Sequence, residues 1–133
     1  MTTVGEALEE SVQTLQHAEI DEARLDARLI VAYELNITSQ QVFGYPERQL
    51  EDGDLEGVRK LVARRAQHEP VALITGEKEF WSLLFKVTAA TLIPRPDSET
   101  LIEAVLAAQP DKKSPTRILD LGTGSGCLLL ALL

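Results

Sequence analysis

The sequence predicts an α+β chain in three parts: a helical bundle over 1–75, a β-hairpin linker over 76–93 and, over 94–133, the opening of a doubly wound, Rossmann-like domain. Three observations predict it. The first part carries apolar residues at helical spacing between short polar breaks. A cluster of β-favouring residues follows between Pro70 and Pro96. The chain then reaches Arg117-Ile-Leu-Asp-Leu-Gly-Thr-Gly-Ser-Gly126, which reads as a strand, a glycine-rich turn and about two turns of helix. A doubly wound domain that opens there is expected to be truncated at Leu133.

Thr3 and Glu6 have capping-box spacing, and Val4, Leu8, Val12 and Leu15 mark one face of the helix that follows. The pattern restarts at Ile20, with Asp21 as N-cap and Leu25, Leu29, Ile30 and Tyr33 facing inward until Asn36 ends the helix. Thr38 caps a short third helix through Val42 and Phe43, stopped by Gly44 and Pro46. Asp54 begins a fourth, with Leu55, Val58, Leu61 and Val62 inward and Arg64 and Arg65 at the negative end of its dipole. Pro70 stops it. So small a bundle has a core worth roughly 3–5 kcal/mol net.

Phe80, Trp81, Phe85, Val87, Leu92 and Ile93 predict a hairpin between about Lys78 and Thr88, reversing near Ser82. Pro96 cannot sit inside a helix, so Asp97 or Ser98 caps the next one, whose apolar face is Leu101, Ile102, Val105 and Leu106. Residues 109–116 read as a solvent loop and 117–121 as a strand. Cys127 to Leu133 is almost wholly apolar, and its expected state is disorder, self-association or pairing with a neighbouring chain.

A hydrophobic fraction of 44% and a charged fraction of 26% are those of an ordinary globular protein rather than a disordered one. No apolar run is long enough to span a membrane, and the acidic, amphipathic start is unlike a secretory signal. One cysteine, Cys127, excludes an internal disulfide and a cysteine-based metal site. No metal is expected, and the chain reads as cytoplasmic. Residues 1–76 hold 14 acidic and 7 basic side chains against 7 and 6 in residues 77–133, so most of the net −8 lies in front. Such a front repels a phosphate backbone and either steers a basic protein partner or is a plain solvated helical surface.

Gly122, Gly124 and Gly126 let the backbone reach positive φ and let a ligand approach the main chain. A nicotinamide-dinucleotide fingerprint needs its third glycine where this chain has Cys127. A phosphate-binding loop needs a lysine that is absent. A structural turn without a ligand stays open. With the acidic Asp120 at the strand end, the pattern resembles motif I of class I methyltransferases, which bind S-adenosyl-L-methionine.

Ahead of it stand Pro70-Val-Ala-Leu-Ile-Thr-Gly76, Glu79-Phe-Trp81 and Leu92-Ile-Pro-Arg-Pro-Asp-Ser-Glu99. In this order the motifs closely resemble the release-factor protein-(glutamine) methyltransferases of the HemK/PrmC type, loosely over 1–69 and tightly over 70–133. The resemblance implies an N-terminal helical bundle, a hairpin linker and a Rossmann-like class I methyltransferase domain. It implies methyl transfer from S-adenosyl-L-methionine to the glutamine amide of a Gly-Gly-Gln sequence in peptide-chain release factors, with no membrane or direct nucleic-acid partner. It places Gly122, Thr123, Gly124, Ser125 and Gly126 on the cofactor, with Asp120 ordering the turn. Pro94, Arg95, Pro96 and Asp97 then belong either to the substrate cleft or to a rigid domain junction.

The family's Asn-Pro-Pro-Tyr catalytic loop has no counterpart, because Asn36 is the single asparagine and no Pro-Pro pair exists. No catalytic residue is therefore assigned, and these 133 residues alone are expected to be inactive. A non-enzymatic release-factor-binding module and a class I methyltransferase acting on nucleic acid are the alternatives. Phe80 and Trp81 read as packing rather than substrate contacts, Cys127 as a small packed residue, and His17 and His68 as surface residues.

Overall fold

Helix α1, Val4–His17, begins where the sequence predicts: Thr3 Oγ1 accepts the Glu6 N–H at 3.2 Å and Glu6 Oε2 accepts the Thr3 N–H at 2.8 Å. The computed structural model describes residues 1–133, which divide into two units, Met1–Thr75 and Gly76–Leu133. The first holds five helices: α1, α2 (Ala23–Glu34), α3 (Ser39–Gly44), α4 (Asp52–Ala66) and α5 (Val71–Thr75). The second holds strands β1 (Glu77–Phe80) and β2 (Leu83–Lys86), a single 3-10 turn at Pro96–Ser98, then α6 (Glu99–Ala108) and α7 (Cys127–Leu132).

In the first unit α1, α2 and α4 pack mutually, and Val4, Val12, Leu15, Ile30, Val31, Val42, Val58 and Val62 are among its buried residues. Leu8, Leu55 and Leu61 are half-buried against that core. The face of α2 differs from the expected one. Its buried residues are Ala23, Asp26, Ala27, Ile30, Val31 and Ala32, while Leu25, Leu29 and Tyr33 are exposed. Three alanines let α2 sit close to its neighbours, so the small residues and not the bulky ones mark the inner face. Asp26 is buried there because Arg65 of α4 donates to it, Nε to Oδ2, at 2.7 Å.

Glu22, and not Asp21, is the N-cap of α2, and it makes no side-chain cap bond. Thr38 caps α3 as expected, with Gln41 completing a second capping box. Helix α4 starts at Asp52, two residues before the expected Asp54, so both aspartates fall in its positively polarised first turn. Arg64 and Arg65 occupy its last turn. Residues 71–75 add a short fifth helix that the sequence reading did not single out, with the Pro70 carbonyl accepting the N–H groups of Leu73 and Ile74.

Three helices end alike. Past α1, α2 and α4, residues Glu19, Asn36 and His68 take φ of 58°, 50° and 65°. The next N–H in each case reaches back to the helix: Ile20 to the Leu15 carbonyl, Ile37 to Ala32 and Glu69 to Arg64. These are Schellman closures, which usually use glycine at the left-handed position. Only Asn36 is a residue type that advertises one. The loop after α3 straps the start of α1: the Pro46 and Arg48 carbonyls accept the Gly5 and Val4 N–H groups at 2.8 and 2.9 Å. Gly5 permits that approach, since a Cβ there would lie 3.1 Å from Pro46 Cβ.

In the second unit β1 and β2 pair antiparallel, Glu77 opposite Lys86 and Phe80 opposite Leu83. The reversal at Trp81-Ser82 has positive φ at both residues, 52° and 59°, as a type I′ turn requires. Away from glycine each such residue costs about 1–2 kcal/mol. Phe80 and Phe85 meet edge to face, ring centroids 6.3 Å apart, and with Ile102 and Cys127 form the buried core.

One expectation fails here, and so does one arm of another, the disorder of the apolar tail. Residues 117–121 form no strand, and Ile118, Leu119 and Leu121 are exposed. A strand exists only by pairing, and the hairpin makes the single sheet. The segment from Cys127 is not disordered but helical. Its Cys127 is buried, and Leu128, Ala131 and Leu132 pack on the hairpin and α6, while Leu130 and Leu133 stay exposed. On α6, Ile102 is buried but Leu101 is exposed, so the expected apolar face is only partly covered. No side chain caps this helix, and the Ser98 N–H is taken by the Arg95 carbonyl at 3.0 Å.

Candidate functional site

Chemistry-bearing residues gather in the second unit, just ahead of its two helices. Residues 120–126 lead into α7 and residues 94–97 into α6. Helices α6 and α7 pack through Ile102 and Cys127, which sets both lead-in segments on one framework, although no hydrogen bond or ion pair joins them.

Ahead of α7, Gly122, Gly124 and Gly126 take φ of 71°, 56° and 78°. A Cβ added at Gly122 or Gly124 would meet nothing within 4 Å. Backbone conformation, and not crowding by the protein, therefore requires glycine at these two positions, and their open side leaves the main chain approachable. The Gly126 N–H donates to the Thr123 carbonyl at 2.8 Å, closing the last turn, and the Gly126 carbonyl accepts the Leu130 N–H at 2.9 Å to start the helix.

Two polar atoms of this turn are shielded from water and have no hydrogen-bond partner in the protein: Asp120 Oδ2 and Ser125 Oγ. Native proteins rarely leave such groups unmet. A carboxylate oxygen that accepts and a hydroxyl that both donates and accepts suit a ligand rich in hydroxyl and ammonium groups. The residues present thus fit the polar half of a nucleoside-type cofactor.

Ahead of α6, Pro94 is buried, while Arg95, Pro96 and Asp97 are exposed. Arg95 is extended, at φ −107° and ψ 141°, and Pro96 opens the 3-10 turn at a position where its missing N–H costs nothing. The Arg95 guanidinium has no acidic partner, which leaves its donors open to a carbonyl or carboxylate from outside. Glu99, which closes this segment, has a role that its spacing does not signal. Its Oε1 accepts the Trp81 N–H at 3.0 Å. An open cleft of about 420 Å³ is lined by Glu79, Trp81, Ser82 and Glu99. Trp81 is half-buried, and Phe80 is buried.

His17 and His68 lie exposed on the first unit. That unit contributes charge rather than reactive groups. All four bases of α4 are paired internally: Arg59 with Glu10, Lys60 with Glu56, Arg64 with Glu69 and Arg65 with Asp26. Hydrogen bonds from Arg59 and Arg64 hold the Glu10 and Glu69 carboxyls below the usual carboxylate range. No helix in the chain is long and apolar enough to cross a membrane.

Comparison with known proteins falls along the same lines. A family model described as the PrmC N-terminal domain matches residues 6–76, nearly the span of the five-helix unit. A protein of Nitratidesulfovibrio vulgaris named Release factor glutamine methyltransferase is 42% identical over 130 residues, 98% of this chain and 43% of its own length. Its namesake in Escherichia coli K12 is 42% identical over 125 residues, 94% of this chain and 44% of its own length. That of Coxiella burnetii is 47% identical over 109 residues, 82% of this chain and 39% of its own length. The chain thus spans less than half the length of these curated relatives. By the matched helical unit and by these relatives, the chain belongs to the PrmC family of release-factor glutamine methyltransferases.

Proposed function

We propose that the protein to which this chain belongs methylates the glutamine side-chain amide of the Gly-Gly-Gln motif in peptide-chain release factors, in the cytoplasm, using S-adenosyl-L-methionine. Residues 1–75 dock the release factor, 76–93 link, and 94–133 begin the methyltransferase domain. One observation carries the cofactor half of this reading: three left-handed glycines beside two shielded, unpartnered polar atoms, Asp120 Oδ2 and Ser125 Oγ.

When bound, S-adenosyl-L-methionine supplies an electrophilic methyl on a sulfonium. Asp120 accepts from a hydroxyl or ammonium of the cofactor, Ser125 exchanges a hydrogen bond with it, and Thr123 flanks the two. Gly122, Gly124 and Gly126 bend the main chain so that nothing bulkier than hydrogen blocks the approach. An amide nitrogen is a weak nucleophile because its lone pair is delocalised into the carbonyl. The protein's task is therefore to orient the amide and exclude water rather than to supply a reactive group. In this reading Pro94 and Pro96 stiffen the cleft edge, and Arg95 and Asp97 hold the substrate backbone.

Calorimetric titration of S-adenosyl-L-methionine into the chain is expected to give saturable binding that Asp120→Ala or Gly124→Ala abolishes. Binding untouched by both changes sinks the assignment of the turn. Incubated with a Gly-Gly-Gln-bearing release factor, the full-length protein is expected to add one methyl at the glutamine, and the 133-residue chain none. Methyl found on a nucleic acid, and none on the protein, transfers the function to the nucleic-acid alternative.

A further inference from the structure

The hairpin tip adopts a conformation its own residues disfavour. Trp81 and Ser82 both hold positive φ in a two-residue turn that asparagine and glycine normally fill. Strain of this kind persists only where surrounding structure holds it. The ladder closes the turn with Phe80 opposite Leu83 but offers the Trp81 N–H no partner. The Trp81 N–H is instead taken by Glu99 Oε1, 18 residues further along the chain and the first residue of α6. The bond lies at the wall of the open cleft shared by Glu79, Trp81, Ser82 and Glu99, while the half-buried Trp81 side chain packs against the core of Phe80, Phe85, Ile102 and Cys127.

We propose that Glu99 is a positioning residue: its carboxylate clamps the hairpin tip in the left-handed turn and thereby ties the hairpin to the Pro94–Ser98 segment. The Glu79-Phe-Trp81 and Leu92-to-Glu99 motifs then act as one rigid body. The bearing of this clamp on catalysis rests on the reading of Pro94–Asp97 as cleft residues; the clamp itself does not.

Trp81 is the single tryptophan, so its emission reports the tip directly. In the 133-residue chain, Glu99→Ala is expected to speed hydrogen exchange at the Trp81 amide about tenfold or more. It is also expected to shift Trp81 emission to longer wavelength and lower its anisotropy. Glu99→Gln keeps an acceptor oxygen and restores most of the protection. Unchanged exchange and emission in Glu99→Ala overturn the clamp. If Glu99→Ala unfolds residues 76–133, Glu99→Gln decides: a protected Trp81 amide upholds the clamp and an unprotected one overturns it. None of these measurements reads methylation. A failed clamp therefore leaves the methyltransferase reading standing, and failed cofactor binding leaves the clamp standing.

Discussion

Fifteen buried residues make the core of Met1–Thr75, while four make that of Gly76–Leu133, which nonetheless carries every proposed ligand-binding residue. The first unit finishes its helices with capping boxes at Thr3 and Thr38, Schellman closures at three C-termini and four ion pairs. The second leaves Leu84, Leu92, Leu119, Leu121 and Leu133 exposed and two polar atoms unmet, Asp120 Oδ2 and Ser125 Oγ, against one in the first, Arg28 Nε. The larger core lies in one unit, and two of the three unmet polar atoms lie in the other. Ligand-binding loops are generally drawn from the less stable parts of a protein.

The sharpest way to break this contrast is to empty each core in turn. Ile30→Ala removes a fully buried side chain with dense neighbours and is expected to cost about 3–5 kcal/mol, against about 2 kcal/mol for Ile102→Ala, whose smaller cluster can collapse. Urea unfolding followed by circular dichroism for the helices and by Trp81 emission for the second unit separates the two. Equal losses would erase the distinction between the units.

Next in size is the Asp26–Arg65 pair. With both side chains largely buried, Asp26→Ala strands a guanidinium beside the core of α2 and α4. The expected loss is about 3 kcal/mol, the low end for breaking a buried pair. Recovery in an Asp26→Ala/Arg65→Met double variant, measured by the same unfolding curves, would show that the stranded charge causes the loss. A double variant as unstable as Asp26→Ala alone would refute that account. A smaller effect is expected in the glycine turn. Gly124→Ala meets no steric obstacle, so it should lose about 1–2 kcal/mol from left-handed backbone strain alone. Gly44→Ala, at ordinary φ and with open space around it, serves as the control and should change the melting temperature little.

How much of this was legible in the sequence follows from where each signal is local. Capping is local, so the Thr3-to-Glu6 box and the Thr38 cap were visible in place, although the part Gln41 plays in a second box was not read. Positive φ at Gly122, Gly124 and Gly126 was visible because only glycine takes it cheaply. The inner face of α2 was not, since packing geometry favoured alanine over leucine and an ion pair from α4 made Asp26 an interior residue. Glu19 and His68 hid two Schellman closures, because the downstream hydrogen bonds, and not the residue type, define those ends. The strand expected at 117–121 failed for a related reason: its apolar pattern is a request for partners, and pairing is a property of the sheet. Within the candidate site, the glycines announced themselves, whereas the Glu99–Trp81 bond spans 18 residues and leaves no local mark.

The smallest expected effect concerns the bridge between α1 and α4. Arg59 donates from Nε and Nη2 to the two Glu10 oxygens at 2.7 and 2.9 Å, and this hydrogen bonding lowers the Glu10 pKa in the folded chain. A carboxylate whose folded pKa is depressed binds its proton less readily folded than unfolded. Its contribution is therefore present above the unfolded carboxylate pKa and is lost as pH falls through the folded one. Both side chains are about half exposed, so the contribution is a few tenths of a kcal/mol at most, and salt weakens it. Glu10→Gln should accordingly lower the melting temperature slightly near neutrality and not at all below the carboxylate range, with the gap closing in about 1 M salt. Glu10 belongs to the unit whose stability rests on a large core, so removing this bridge tests whether surface charge adds to it. A gap that persists at low pH would locate the effect of the substitution in helix packing, and the ion pair would then carry none of the stability of Met1–Thr75.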